Sequence, residues 1–264
     1  MILEPPVSVQ KLQAALQAKA KEAPGYRFYL LYDKLYRKDV LEYAYRCCKA
    51  NAGAPGVDGQ DFADIEAYGV ESWLGELADK LCGKTYRAEA VRRVWIPKAD
   101  GSKRPLGVPC IADRTVMTAA VAVLSPIFEV DLPAEQHGYR ANFSAHTAVR
   151  SVRYLLNPGH TKIIEGDLAG YFDSLPHAEL LKSVARRVSD RHVLHLIKMW
   201  LTAPVEVPLR KSDFTKLPVA LKLGGRSRQT RRQGSEQSRA HSADEGRSTN
   251  SRIADEPCSC SRSF

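Results

Sequence analysis

Chemistry in this chain concentrates in EGDLAGYFDSLPH, residues 165–177, where Asp167 and Asp173 stand on either side of the aromatic pair Tyr171 and Phe172. Upstream, Ile163 and Ile164 read as a short apolar strand, so Asp167 is expected at a strand's C-terminal end. A carboxylate there, joined by one from a second strand, is how phosphoryl-transfer sites hold two magnesium ions about 3.5–4 Å apart. One carboxylate alone cannot hold that pair. The competing reading is an ordinary strand-to-helix turn, with Asp173 or Ser174 capping the helix that follows Pro176 as HAELLKSVARRV. The spacing by itself accommodates both, because a single short motif carries little specificity.

A second chemical feature is cationic. VRRVWIP, residues 91–97, alternates basic and apolar residues as a half-buried strand does. KADGSKRP then supplies a turn at Asp100-Gly101, and LGVP returns as a second strand. Between Lys84 and Arg114, eight Lys or Arg (Lys84, Arg87, Arg92, Arg93, Lys98, Lys103, Arg104, Arg114) stand against Glu89, Asp100 and Asp113. Cations on a mobile hairpin suit an anionic ligand, and a bidentate Arg suits phosphate better than a point charge. For Lys103, Arg92 and Arg93, a solvated strand edge protected by its charge is an equal reading.

The surrounding elements are mostly helical. KLQAALQAKAKEA is a run of strong helix formers, and FYLLYDKLYRKDVLEYAYRCCKANAGAPG reads as one or two helices whose tyrosines (29, 32, 36, 43 and 45) form a packing face. APGVDG is a turn. DRTVMTAAVAVLSPIFEV is expected as a helix capped by Asp113 and interrupted before Pro126. After Ser144, residues Ala148, Val149, Val152, Leu155 and Leu156 fall in helical register, and VLHLIKMWL is a further helix ending near Trp200. His137 and His146 lack a carboxylate at a spacing suited to acid–base work and read as structural.

Composition sets the limits. With 264 residues and 44% hydrophobic content the chain can bury a core, and most of its net charge of +9 falls beyond Val207. That last stretch is Ser, Arg and Gly rich without apolar periodicity, so it is expected to be disordered, and its abrupt change of character reads as sequence from another frame. Six cysteines show no zinc or redox spacing, no signal-like leader opens the chain and no run suggests a membrane span. The expectation is a cytoplasmic protein with reduced thiols.

Taken in order, PGVDG, RRVWIPKADGSKRPLGVP, DRTVMTAAVAVLSPIFE, HGYRANFSAH and EGDLAGYFDSLPH resemble the reverse transcriptases of group II introns, which double as splicing maturases. The resemblance covers about residues 50–207. It implies an α+β fold, the fingers and partial palm of a right-hand polymerase, mostly helical with short β-hairpins. Residues 1–60 would be a helical N-terminal extension, 61–160 the fingers, 161–207 the start of the palm, and 208–264 the disordered tail. By the same resemblance Lys98 and Arg104 contact the triphosphate and Arg140 contacts template or nucleotide, although Ala141 and Phe143 depart from the family pattern. Asp167 and the carbonyl of Leu168 would bind Mg2+, and Phe172 would be the ring that excludes a 2′-hydroxyl.

The implied partners are intron RNA, an RNA template with a DNA primer, and deoxynucleoside triphosphates, with no membrane. The family's Tyr-x-Asp-Asp hairpin is missing, since no two aspartates are consecutive anywhere in the 264 residues. The chain is therefore expected to be truncated before that motif and inactive alone. The alternatives are a non-catalytic RNA-binding module for splicing and a degenerate fragment of a mobile element.

Overall fold

VSVQKLQAALQAKAKE consists largely of side chains that lose little freedom in a helix, and it forms α1 (Val7–Glu22). The structure, a computed structural model, describes residues 3–99, 101–159, 162–168 and 170–206. The chain divides into two units, Met1–Arg210 and Lys211–Phe264; the second, with the tail expected to be disordered, lies outside the described residues. The aromatic-rich stretch gives two helices, α2 (Tyr32–Leu35) and α3 (Lys38–Ala50). Tyr32, Tyr43 and Tyr45 are buried as a packing face requires, but Tyr29 is 60% exposed and takes no part in it.

APGVDG is the expected turn, and Gly56 is needed there, because a Cβ would lie 2.6 Å from Cys110 Cα. Arg114 holds the turn by donating to the Ala54 carbonyl at 2.7 Å. α4 (Phe62–Tyr68) then starts on a capping box in which Asp61 and Asp64 accept each other's backbone N–H. α5 (Val70–Cys82) buries Trp73, Leu74, Leu77 and Leu81.

At the centre runs α6 (Ile111–Phe128), on which α1, α2 and α3 pack. Three expectations fail here. The N-cap is Cys110, while Asp113 lies within the first turn, 2% exposed and bonded to Tyr86. Pro126 does not interrupt the helix. Its missing N–H would have bonded the Ala122 carbonyl, and that carbonyl accepts from Gln13 Nε2 of α1 at 2.9 Å instead. The span Ile111–Asp131 is also long and apolar enough to cross a membrane by length and composition, and half of its apolar window is buried in this core.

β1 (Val91–Pro97) and β2 (Lys103–Val108) pair antiparallel from Arg92↔Val108 to Pro97↔Lys103, with turn residue Asp100 outside the described residues. A strand the sequence did not announce, β3 (Val205–Glu206), adds to β1 in parallel and makes the order β2-β1-β3.

α7 (Ala145–Leu156) begins on the Ser144/Thr147 capping box, yet none of its residues is buried. The strand expected at Ile163 and Ile164 is not formed; residues 162–168 are irregular, and Ile164 is 98% exposed. A strand exists only through hydrogen bonds to a neighbour, and no described strand pairs with this segment. α8 (Tyr171–Ser174) and α9 (His177–Ala185) follow. Pro176 is the N-cap of α9 without a side-chain cap bond, and Ser174 donates its hydroxyl to the Tyr171 carbonyl instead of filling the expected role; the side chain of Asp173 lies outside the described residues.

α10 (Arg191–Leu201) returns the chain to the core through two anchors. Asp190 accepts backbone N–H groups of Leu31 and Tyr32 on one oxygen and of His192 and Val193 on the other. Arg187, 4% exposed, donates to the carbonyls of Ala20, Ala23 and Pro24 at the end of α1 and pairs with Asp131 at 2.9 Å.

Candidate active-site cleft

The root of the basic hairpin is fixed by a buried polar cluster. Tyr86 donates to Asp113 Oδ1 at 2.5 Å, the Glu89 N–H donates to Oδ2 at 3.1 Å, and Trp200 Nε1 donates to the Tyr86 hydroxyl at 3.3 Å. Burial pushes the Asp113 carboxyl above its ordinary range despite those donors, and burial followed by the nearby Asp113 charge pushes the Tyr86 hydroxyl far upward. The cluster ties the approach to β1 to both α6 and α10. Beyond it the hairpin projects freely: Trp95, Ile96 and Leu106 are exposed.

That projection faces the irregular segment 162–168 and α8 across a cleft of about 970 Å³. Arg93, Lys98, Lys103 and Arg104 line it from the hairpin, and Asp167, Leu168 and Phe172 from the other side. Five of the six expected site residues therefore meet in one place. Among the described residues none of the four cations has an acidic partner, and the Asp167 carboxylate has no hydrogen-bond or ion-pair partner. Other cations of the 84–114 stretch are committed to structure, Arg114 to the APGVDG turn and Arg87 to the carbonyls of Lys84 and Tyr86. The net local charge favours a polyanion.

Arg140 is the residue that does not join. Its Nε and Nη2 donate to Glu129 Oε1 at 2.8 and 2.6 Å, and its Nη1 donates to the carbonyls of Pro133 and Gln136. The guanidinium also stacks over Phe143, 4.4 Å from the ring centroid, leaving the side chain 11% exposed. Its donors brace the loop rather than face the cleft. His137 is likewise structural, sharing a hydrogen bond with Thr147 Oγ1 at 3.1 Å and packing edge-on against Phe143.

The loop that Arg140 braces presents a residue the sequence reading passed over. Tyr139 lines the cleft, is 95% exposed, and holds φ at +61°. A bulky residue in the left-handed region costs about 1–2 kcal/mol. Its ring meets Phe172 at 6.3 Å and 84°, and Phe172 in turn meets Tyr171 at 5.4 Å. Nothing in HGYRANFSAH marks the positive φ, and the partners that brace the neighbouring Arg140, Glu129 and Pro133, precede the motif.

Sequence comparison agrees with these landmarks. The family model described as reverse transcriptase (RNA-dependent DNA polymerase) matches residues 96–237, a span that includes Lys98, Lys103 and Arg104 of the hairpin wall and all of the Asp167 wall and runs past residue 207. Protein YkfC of Escherichia coli strain K12 is 36% identical over 201 residues, covering 74% of this chain and 52% of that protein. Group II intron-encoded protein LtrA of Lactococcus lactis subsp. cremoris is 31% identical over 178 residues, 67% of this chain and 29% of that protein. Nuclear intron maturase 2, mitochondrial, of Arabidopsis thaliana is 31% identical over 93 residues, 35% of this chain and 12% of that protein. The chain thus spans about half the length of the first of these relatives and under a third of the second.

Proposed function

Because the chain belongs to the reverse transcriptase (RNA-dependent DNA polymerase) family, with group II intron-encoded proteins and intron maturases among its relatives, we propose that the cleft is the nucleotide end of an RNA-directed DNA polymerase and maturase. One observation carries the reading: two segments far apart in sequence bring Lys98 and Arg104 to the same cleft as Asp167, Leu168 and Phe172. In this reading Lys98 and Arg104 neutralise the triphosphate of an incoming deoxynucleotide, an RNA template and DNA primer lie in the cleft, and Phe172 lies under the sugar. Asp167 and the Leu168 carbonyl form one side of a divalent-metal site, magnesium by family. The residues present do not complete such a site. Among the described residues no three His, Cys, Asp or Glu side chains come together, and one carboxylate with one carbonyl falls short of the six oxygens such an ion takes.

No consecutive aspartates occur in the 264 residues, so this chain by itself is expected to make no DNA. Primer extension on an RNA template with magnesium tests this directly. Incorporation that Asp167→Asn abolishes would show that the acidic half present here suffices, against the proposal.

A second reading, intron RNA binding without catalysis, draws on the four cleft cations that have no acidic partner among the described residues. Its signature is RNA affinity that falls steeply with salt and is indifferent to magnesium and to Asp167→Asn. Magnesium-dependent binding of deoxynucleotides would favour the first reading over it.

A further inference from the structure

The three exposed rings of the cleft are unaccounted for by nucleotide chemistry at Phe172 alone. Tyr139 is 95%, Phe172 72% and Tyr171 48% exposed, and they follow one another at 6.3 and 5.4 Å across the wall opposite the hairpin cations. Packing does not explain Tyr139, which is nearly free of neighbours apart from Phe172. Backbone convenience does not explain it either, since the residue sits at a φ that glycine would occupy without strain. The loop nevertheless holds it there through the four hydrogen bonds of Arg140 and the stacking of that guanidinium on Phe143. A strained, over-determined residue that points an aromatic ring at solvent invites a functional explanation.

Successive aromatic rings beside a row of cations that have no acidic partner among the described residues make the combination by which grooves hold single-stranded nucleic acid: bases stack on the rings while cations follow the phosphates. We infer that Tyr139, with Tyr171 and Phe172, forms a stacking shelf for unpaired bases of a single strand, and that Tyr139 is the ring that positions this strand against the Arg93–Arg104 hairpin. The assignment rests on the proposed nucleic-acid role of the cleft, yet it needs neither the metal nor the nucleotide. A row of rings suits consecutive bases of a strand better than the one base of a free nucleotide, and a duplex has no open base face to offer it. Arg140 acts through Tyr139, as a positioning residue.

The test uses the full chain in chelator-containing buffer with three probes. These are a labelled single-stranded RNA of about 12 nucleotides, within the range that single-strand grooves cover, the same sequence as a duplex, and dATP. Tyr139→Ala is expected to weaken single-strand binding about 5- to 150-fold, the equivalent of losing one stacked base, with little effect on the duplex. Tyr139→Phe should retain binding, and Tyr139→Trp should show fluorescence that the single strand quenches. Tyr139→Gly separates the ring from the fold, because it should lose binding like the alanine variant while melting no lower than the parent. The assignment is overturned if Tyr139→Ala leaves single-strand affinity unchanged, weakens single strand and duplex alike, or weakens dATP alone. Failure of dATP to bind any form once magnesium replaces the chelator, beside Tyr139-dependent RNA binding, sinks the nucleotide reading and leaves the shelf standing.

Discussion

In α6 the side chains of Ile111, Val116, Val123 and Ile127 are fully buried, whereas in α7 Val149, Val152 and Leu155 are at least half exposed, although both helices carry apolar residues at helical spacing. The same contrast separates Leu35 and Leu41, sealed by their neighbours, from Ile163 and Ile164, which stand in solvent. Amphipathic pattern tells which face of a segment seeks cover; whether cover exists depends on what else the chain folds beside it. The helical body has that cover. The arm from Ala145 to Ser174 lacks it among the described residues, whereas α9 beyond it packs against α10; the Asp167 side of the cleft belongs to the uncovered arm.

Substitutions can break or sharpen the contrast. The largest effect is expected for Ile127→Ala, a loss of about 2–5 kcal/mol on urea unfolding, as for other buried aliphatic side chains. Comparable loss for Leu155→Ala would mean that the arm is packed after all. Next comes Asp190→Ala, which strips four backbone N–H groups of their acceptor and should cost about 2–4 kcal/mol. Burial raises the Asp190 carboxyl, but those N–H donors outweigh it and the net shift is downward. A depressed carboxyl contributes stability that is complete above the unfolded value of about 3.9 and is lost as pH falls through the lower folded value. The parent should therefore show an acid loss of stability below about pH 4 that Asp190→Asn removes.

Asp113 should behave with the opposite sign. Its raised folded value means that its ionisation opposes folding, and this penalty grows as pH rises from about 4 through the folded value. Asp113→Asn keeps an acceptor for Tyr86 and removes the penalty of the buried charge but loses the bond from the Glu89 N–H, so at pH 7 the opposing effects should leave a change of no more than about 1 kcal/mol; a loss of several would show that the charge itself holds the hairpin root. The smallest effect is expected for Ile164→Lys, within about 0.5 kcal/mol, because that side chain is already in water. Cooperative loss of the arm's helical signal in this variant would refute its openness.

Much of the helical order was legible because glycine turns and strong helix formers act locally: the residues of α1 and the register after Ser144 announce their elements without help from elsewhere, whereas α4 and α5 went unread. The hairpin was equally plain from its alternation. What escaped depended on distant partners. Asp113 looks like a cap until Tyr86 claims it, and Arg140, by the family resemblance a contact for template or nucleotide, is claimed by Glu129. The pair Ile163–Ile164 looks like a strand as long as a neighbouring strand is assumed. At the cleft, the family resemblance pointed to Lys98, Arg104, Asp167, Leu168 and Phe172, which line one space, while Tyr139 became visible only through a backbone angle that no residue type encodes.

Gln13 and Pro126 carry a lesson about inheritance. The glutamine fills the gap that the proline leaves in the ladder of α6, from 109 residues away. With Pro126 present, replacing Gln13 leaves a carbonyl bare where two helices meet; with alanine at 126, the helix closes its own bond and position 13 is released. The two sites are thus coupled: losing Gln13 is expected to cost more beside Pro126 than beside alanine, so the order in which the two positions change matters.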